Sequence, residues 1–367
     1  MAKKIKSIIV NFVTLAFRDD GRELAVGSYG QMTLWDLVDG RPALILNHLP
    51  GPVHSLAFGR DGRRLFVGMG LPARSGVIRV YSVPDGVLLY QFEGHGDVVV
   101  GLAIRPDGGQ LASASFDQTV RFWNLVDGTF QGVFKGHSDF VHDVTYVRDG
   151  KSVMTVGKDR TVKRIDATTF KELRTYSDHN EPVLAVATRP DGAGFVTAGD
   201  ESALRWWSYE DERPGRRTSG HGGPVQQLAF SADGTRLISA SGDKSVRLWD
   251  GKTGIAQRTL TGPTEWQYAA ALSGDGKLAA AGGWDGLARV WEADSGTLLG
   301  LLVQPPALSE SEPEWLAVTP DGHLDGPPEL LTLAKWTVGG KEIPPASGLK
   351  HFGGHVAIVK ESKIERQ

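Results

Sequence analysis

Short apolar runs and polar turns alternate along this chain with a regular beat. A first run such as LAF or VTY is followed by a turn. A second run of small and branched residues comes next, as in ELAVGS, QLASAS or RLISAS. A third run ends in a bulky residue, as in MTLWD, VRFWN and VRLWD, and a fourth, such as VLLYQF or TFQGVF, closes the unit. Short apolar runs bounded by turn residues predict buried strands, so the chain is expected to be all-β with little or no helix.

The turn between the first two runs is marked by Asp-Gly. The pair stands at Asp20-Gly21, Asp61-Gly62, Asp107-Gly108, Asp149-Gly150, Asp191-Gly192, Asp233-Gly234, Asp275-Gly276 and Asp321-Gly322, with a 42-residue step four times running. Asp-Gly is a strong hairpin signal because glycine tolerates positive φ. Four hairpin-linked strands in a unit of about 42 residues match one blade of a β-propeller. Seven complete units cover residues 12 to 303.

The run GH, then LAFSADG, then LISASGDKSVRLWD resembles the WD repeat at full length. The resemblance implies a propeller with buried sets of His, Ser or Thr, Asp and Trp in its well-formed blades. The residues stand in register as His95, Ser113, Asp117 and Trp123, and again as His221, Ser239, Asp243 and Trp249. A third set has His137, Thr155 and Asp159, with Ile165 in place of the Trp. Imidazole, hydroxyl, carboxylate and indole can satisfy one another without water. A Ser, a His and an Asp in one unit look like a catalytic triad only as a list; here the list repeats around a ring, which points to structure. The first unit has Val26 and the second Val67 where the hydroxyl belongs, and the seventh has Ala281 and no His. These units are expected to rely on apolar packing.

Residues 1–304 are therefore read as a seven-unit propeller and 305–367 as a linker with a degenerate eighth unit. PPALSESEP reads as the linker. EWLAVTPDGHLDG repeats the first strand and turn, and Trp336 follows Asp321 at the spacing of Asp20 to Trp35. The prolines of HLDGPPEL remove ladder donors. The segment also resembles a module that follows WD repeats in bacterial multidomain proteins. It completes an eight-blade ring or caps one of seven; the complete fourth strand of every earlier unit favours seven. HVAIVKESK, from His355, is a candidate strand for the ring's edge.

Composition narrows the chemistry. With 40 Lys and Arg against 43 Asp and Glu the net charge is -3, which argues against a general nucleic-acid binder. There is no cysteine, hence no disulfide scaffold, thiolate site or Cys nucleophile. The apolar start Ile8-Ile9-Val10 is too short for a leader and is interrupted by Asn11, and no run approaches a membrane span. A cytoplasmic protein is the expectation, with a cleaved leader as the alternative. None of H-E-x-x-H, G-x-S-x-G or the Walker A pattern occurs. The loose G-x-G-x-x-A at Gly68–Ala73 lacks a following helix. Ser241 to Lys244, an S-x-x-K, falls in a strand turn. No cofactor, metal or catalytic residue is expected.

The loops carry the better signal. In the family's fold the loops between strands four and one, and between two and three, share one face of the disc. Tyr29, Phe116, Phe140, Trp266 and Trp284 fall in them. Exposed aromatics are enriched at binding hot spots. Closing the ring is expected to bring Trp266 and Trp284 near Tyr29, and the competing account is that the tail covers these rings through Trp315 or HVAIV. The favoured reading is a non-catalytic scaffold that binds other proteins or peptides. The alternatives are a metal-dependent propeller hydrolase, with ligands at the tunnel mouth, and a regulatory or targeting module of a larger effector.

Overall fold

The computed structural model describes residues 14–303 except 212, and then 315–320, 324–326, 336–338 and 341–343. No helix occurs among them, so none is long and apolar enough to cross a membrane. Seven four-stranded antiparallel meanders follow one another as blades 1 to 7, at residues 14–46, 53–95, 99–134, 141–176, 183–218, 225–260 and 267–303. In each, strands a to d lie side by side in chain order. The a strands of successive blades touch, and Thr14–Phe17 touches both Val53–Phe58 and Gln267–Leu272. The ring therefore closes at seven, with strand a innermost and strand d outermost.

The Asp-Gly signal has a direct physical reading. The glycines of all seven blades, Gly21, Gly62, Gly108, Gly150, Gly192, Gly234 and Gly276, have φ between 64° and 77°. Only glycine enters that region without strain. The preceding carboxylate accepts the N–H two residues on, as at Asp233 from Thr235 at 2.9 Å. Arg18, Arg60 and Arg105 lie over the glycines of the next blade's turn, Gly62, Gly108 and Gly150. The turns are thus stitched to each other around the disc.

The core lies between blades. Strand b is buried along its length in most of them, as at Gln110–Ser115, and Trp35, Trp249 and Trp291 are sealed from solvent. Facing inner strands leave unpaired backbone edges, which are liabilities unless covered. Asp143 accepts the Val186 N–H of the next inner strand at 3.1 Å. The Ser55 hydroxyl donates to the Val99 carbonyl at 3.0 Å.

Blade 7 continues outward. Leu316–Val318 pairs with its strand d, and Leu324–Asp325 pairs with Leu316–Val318. The first strand of the presumed eighth unit is thus an outer edge strand of blade 7 and not an inner strand of the ring. Trp336–Val338 pairs with Lys341–Ile343 in a ribbon of its own. The PPALSESEP run, Asp321-Gly322 and the HVAIVKESK segment lie outside the described residues.

Candidate binding face

The a–b and c–d turns emerge on one face of the disc, and the d–a and b–c loops on the other. The loop face is built on the polar sets. In blade 3 the Trp123 indole N–H donates to Ser113 at 2.9 Å, and Ser113 lies 2.8 Å from His95 Nε2. His95 Nδ1 lies 2.7 Å from Asp117, which also accepts the Gly96 N–H. One proton arrangement satisfies every atom: indole to hydroxyl, hydroxyl to Nε2, and Nδ1–H to carboxylate. Blade 6 repeats it with Trp249, Ser239, His221 and Asp243. Blade 4 does so with His137, Thr155 and Asp159, and with Ile165 where the indole would be.

Electrostatics agree with this assignment. Burial holds the His95 and His221 imidazoles below the usual histidine range, though their aspartates pull the other way. Burial raises the Asp117 and Asp159 carboxyls, but the histidine bonds, a threonine hydroxyl and a loop N–H outweigh it and hold both low. Asp243 is held at about 2, by Ser245, Gly222 and His221. The hydroxyls are fully buried, so no substrate reaches them. The sets pin each d–a loop to the b–c loop beside it and hold the face rigid.

Blade 5 contains a fourth set, whose His179 stands at the structural histidine position in the sequence but whose other members the sequence pattern does not disclose. His179 bonds Thr197 at 2.9 Å, and Trp207 Nε1 donates to Thr197 at 2.7 Å. The carboxylate is Glu201, which accepts the Asn180 N–H and pairs with Arg205. The spacing from His179 matches the other sets; the Glu in place of Asp hid it.

Blade 7 corrects the expectation of purely apolar packing. Asp285 takes a forked pair from Arg289, 3.2 and 2.7 Å, and a bond from the Thr264 hydroxyl at 3.2 Å. Trp291 Nε1 donates to the Thr261 carbonyl at 3.0 Å. The Thr264 hydroxyl thus joins the d–a loop to the b–c loop, as histidine does elsewhere, and the Arg289 fork holds the carboxylate it bonds. In blade 1 the buried Trp35 indole N–H has no acceptor among the described residues.

The face carries two aromatic groups. Trp266 and Trp284 are 42% and 47% exposed, and the Trp284 N–H donates to the Trp266 carbonyl at 2.8 Å. Tyr268, from the inner strand, stands between them, 6.3 Å from Trp266 and 6.0 Å from Trp284. Trp266 packs over Gly242 of blade 6, where an added Cβ would come within 3.2 Å of the indole. Tyr268 was missed because it reads as part of a strand; its inner-strand position at the tunnel mouth is the signal. Phe116 stacks on Phe140 at 4.7 Å, with His142 edge-on to Phe116 and Lys158 over Phe140. These two rings are half-buried, and burial pushes His142 down to about 4.

Two expectations need correction. Tyr29, 64% exposed, bridges to Pro52 at the junction of blades 1 and 2, whereas Trp266 packs at the junction of blades 6 and 7. Trp315 does not cover the face rings. It stands edge-on to Trp35 at 5.7 Å, in the core between blades 7 and 1. The described residues hold no cluster of three His, Asp or Glu suited to a metal ion.

A family model described as "WD domain, G-beta repeat" matches residues 86–124, 128–166, 170–208, 212–250 and 254–292, together more than half of the chain. Each matched segment runs from strand d of one blade through strand c of the next. The chain is 31% identical over 105 residues to "Protein groucho" of Drosophila melanogaster, covering 28% of this chain and 14% of that protein. It is 32% identical over 131 residues to "Striatin-4" of Mus musculus, covering 29% of this chain and 17% of the relative. The likeness thus spans less than a fifth of either relative's length.

Proposed function

This chain belongs to the WD-repeat family, and on that premise we propose that it is a non-catalytic scaffold that binds another protein or peptide on its loop face. The carrying observation is the exposed Trp266–Tyr268–Trp284 group, fixed from behind by the Asp285–Arg289 fork and by the backbone bond between the two tryptophans. Large aromatics held in one conformation lose little entropy on binding and are typical anchors. Phe116 and Phe140 form a second contact patch, and Tyr29 a third. The near-neutral charge supports a protein partner over nucleic acid. On this reading the strands Leu316–Val318 and Leu324–Asp325 serve the ring as a clasp.

The test is the paired change Trp266→Ala and Trp284→Ala, with capture of partners from the native source by wild type and variant side by side. The expected result is loss of the specific partners with the thermal midpoint nearly unchanged. If the partners stay and only the midpoint falls, the rings are core and the interface lies elsewhere.

A further inference from the structure

The opposite face holds a feature that the scaffold reading does not use. A chamber of about 600 Å³ opens there, lined by the inner strands of blades 3 to 6 and by Arg60 of blade 2. Its volume is in the range of small-ligand sites. Arg60, Arg148 and Arg189 line it, against Asp143 as the one acidic residue among the described lining residues.

The arginines arise from the repeat itself. Each stands one or two residues before an Asp-Gly turn, so the ring geometry aims them at the channel mouth from blades 2, 4 and 5. Their partners differ. Arg189 is forked to Asp191. Arg148 donates to the Pro190 carbonyl and has no ion pair among the described residues. Arg60 is exposed and has no ion pair among the described residues. The hydroxyl donors nearby are committed: Thr188 donates to the Tyr146 carbonyl and Ser231 to Asp233. Guanidinium groups are thus the cationic donors that line the chamber, and they suit phosphate and carboxylate oxygens.

We propose that this chamber binds a compact, multiply charged anion, with Arg60 and Arg148 as its principal contacts and Arg189 as a third. The walls leave room for a small molecule and not for a folded domain. Asp143 does not oppose the ligand strongly. Its carboxyl faces backbone N–H groups of Val144 and Val186, and burial pushes it up to about 7 against their pull, so near neutrality much of it is uncharged.

The experiment is calorimetric titration of the full chain at low and physiological salt, with tripolyphosphate in one arm and citrate in the other. One site per chain is expected, weakening as salt rises. Arg60→Ala with Arg148→Ala should weaken it at least tenfold, while Arg213→Ala with Arg217→Ala, on the outer part of blade 5, should leave it unchanged. Tighter tripolyphosphate assigns a phosphate ligand, and tighter citrate a carboxylate. Arg60→Ala alone, at an exposed position, guards against misfolding of the double variant and should weaken binding at least threefold. Absence of binding by wild type at millimolar anion, or equal loss in both double variants, overturns the proposal.

Discussion

Trp249 shows what one residue contributes to a blade. It is sealed from solvent, donates its indole N–H to Ser239 at 2.8 Å and packs against Gly220. Trp249→Ala removes a large apolar body and one of the serine's partners, and should destabilise by about 3 to 5 kcal/mol. Ile165 holds the same position in blade 4, equally buried but with nothing to donate. Thr155 there is satisfied by His137 alone among side chains. Ile165→Ala should therefore cost less, about 2 to 3 kcal/mol. Denaturant midpoints of the two variants read the order directly, and equal losses would count against the hydrogen-bonded set.

At the scale of elements, the loops of blade 7 depend on one buried ion pair. The Asp285 and Arg289 side chains are 11% and 3% exposed, and Asp285 also holds Thr264 of the facing loop. Asp285→Ala strands a buried cation, which typically costs about 3 to 5 kcal/mol. It also releases the loop that carries Trp266. Faster amide exchange confined to residues 261–287, with blade 4 unchanged, is the expected signature. Protection equal to wild type there would show that the tryptophans are held by something else. This element also marks the limit of what the sequence discloses. The Asp-Gly beat and the strand pattern disclosed the four-stranded unit and its strand order, because positive φ and buried apolar runs leave local traces, whereas the choice of seven blades over eight needed the contacts of the closed ring. The histidine sets were legible because their spacing repeats. Thr264 bonding the carboxylate where histidine does elsewhere, Glu201 replacing aspartate and Tyr268 entering the aromatic group were not. Each depends on which side chains the closed ring brings together, and no local pattern encodes that.

At the scale of the whole molecule the question is what keeps the ring shut. Blades 7 and 1 meet through inner strands and through a shared core of Leu15, Leu24, Trp35, Ala269 and Leu302. Trp35 is the weak point, since its buried N–H has no acceptor among the described residues. The C-terminal strands reinforce this seam from outside. Leu316–Val318 covers the edge of blade 7, Trp315 packs on Trp35, and Asp325 bonds Arg41 of blade 1 at 2.8 Å. The ion pair alone is worth little, because the Arg41 side chain is 57% exposed. Asp325→Ala should therefore shift stability by less than about 1 kcal/mol. Ending the chain at Val303 removes all three contacts and bares an edge strand. The loss should be about 3 kcal/mol, from an aromatic pair and the buried apolar area of Leu316 and Ala317, or a fall of roughly 5 °C or more in thermal midpoint. The truncated chain should also associate more readily, through the bared edge of blade 7. Its partner binding should survive, since the strands removed lie on the rim and the tryptophan face lies on top. An unchanged midpoint would deny the clasp, and loss of partner binding in a well-folded truncated ring would place part of the interface on the tail.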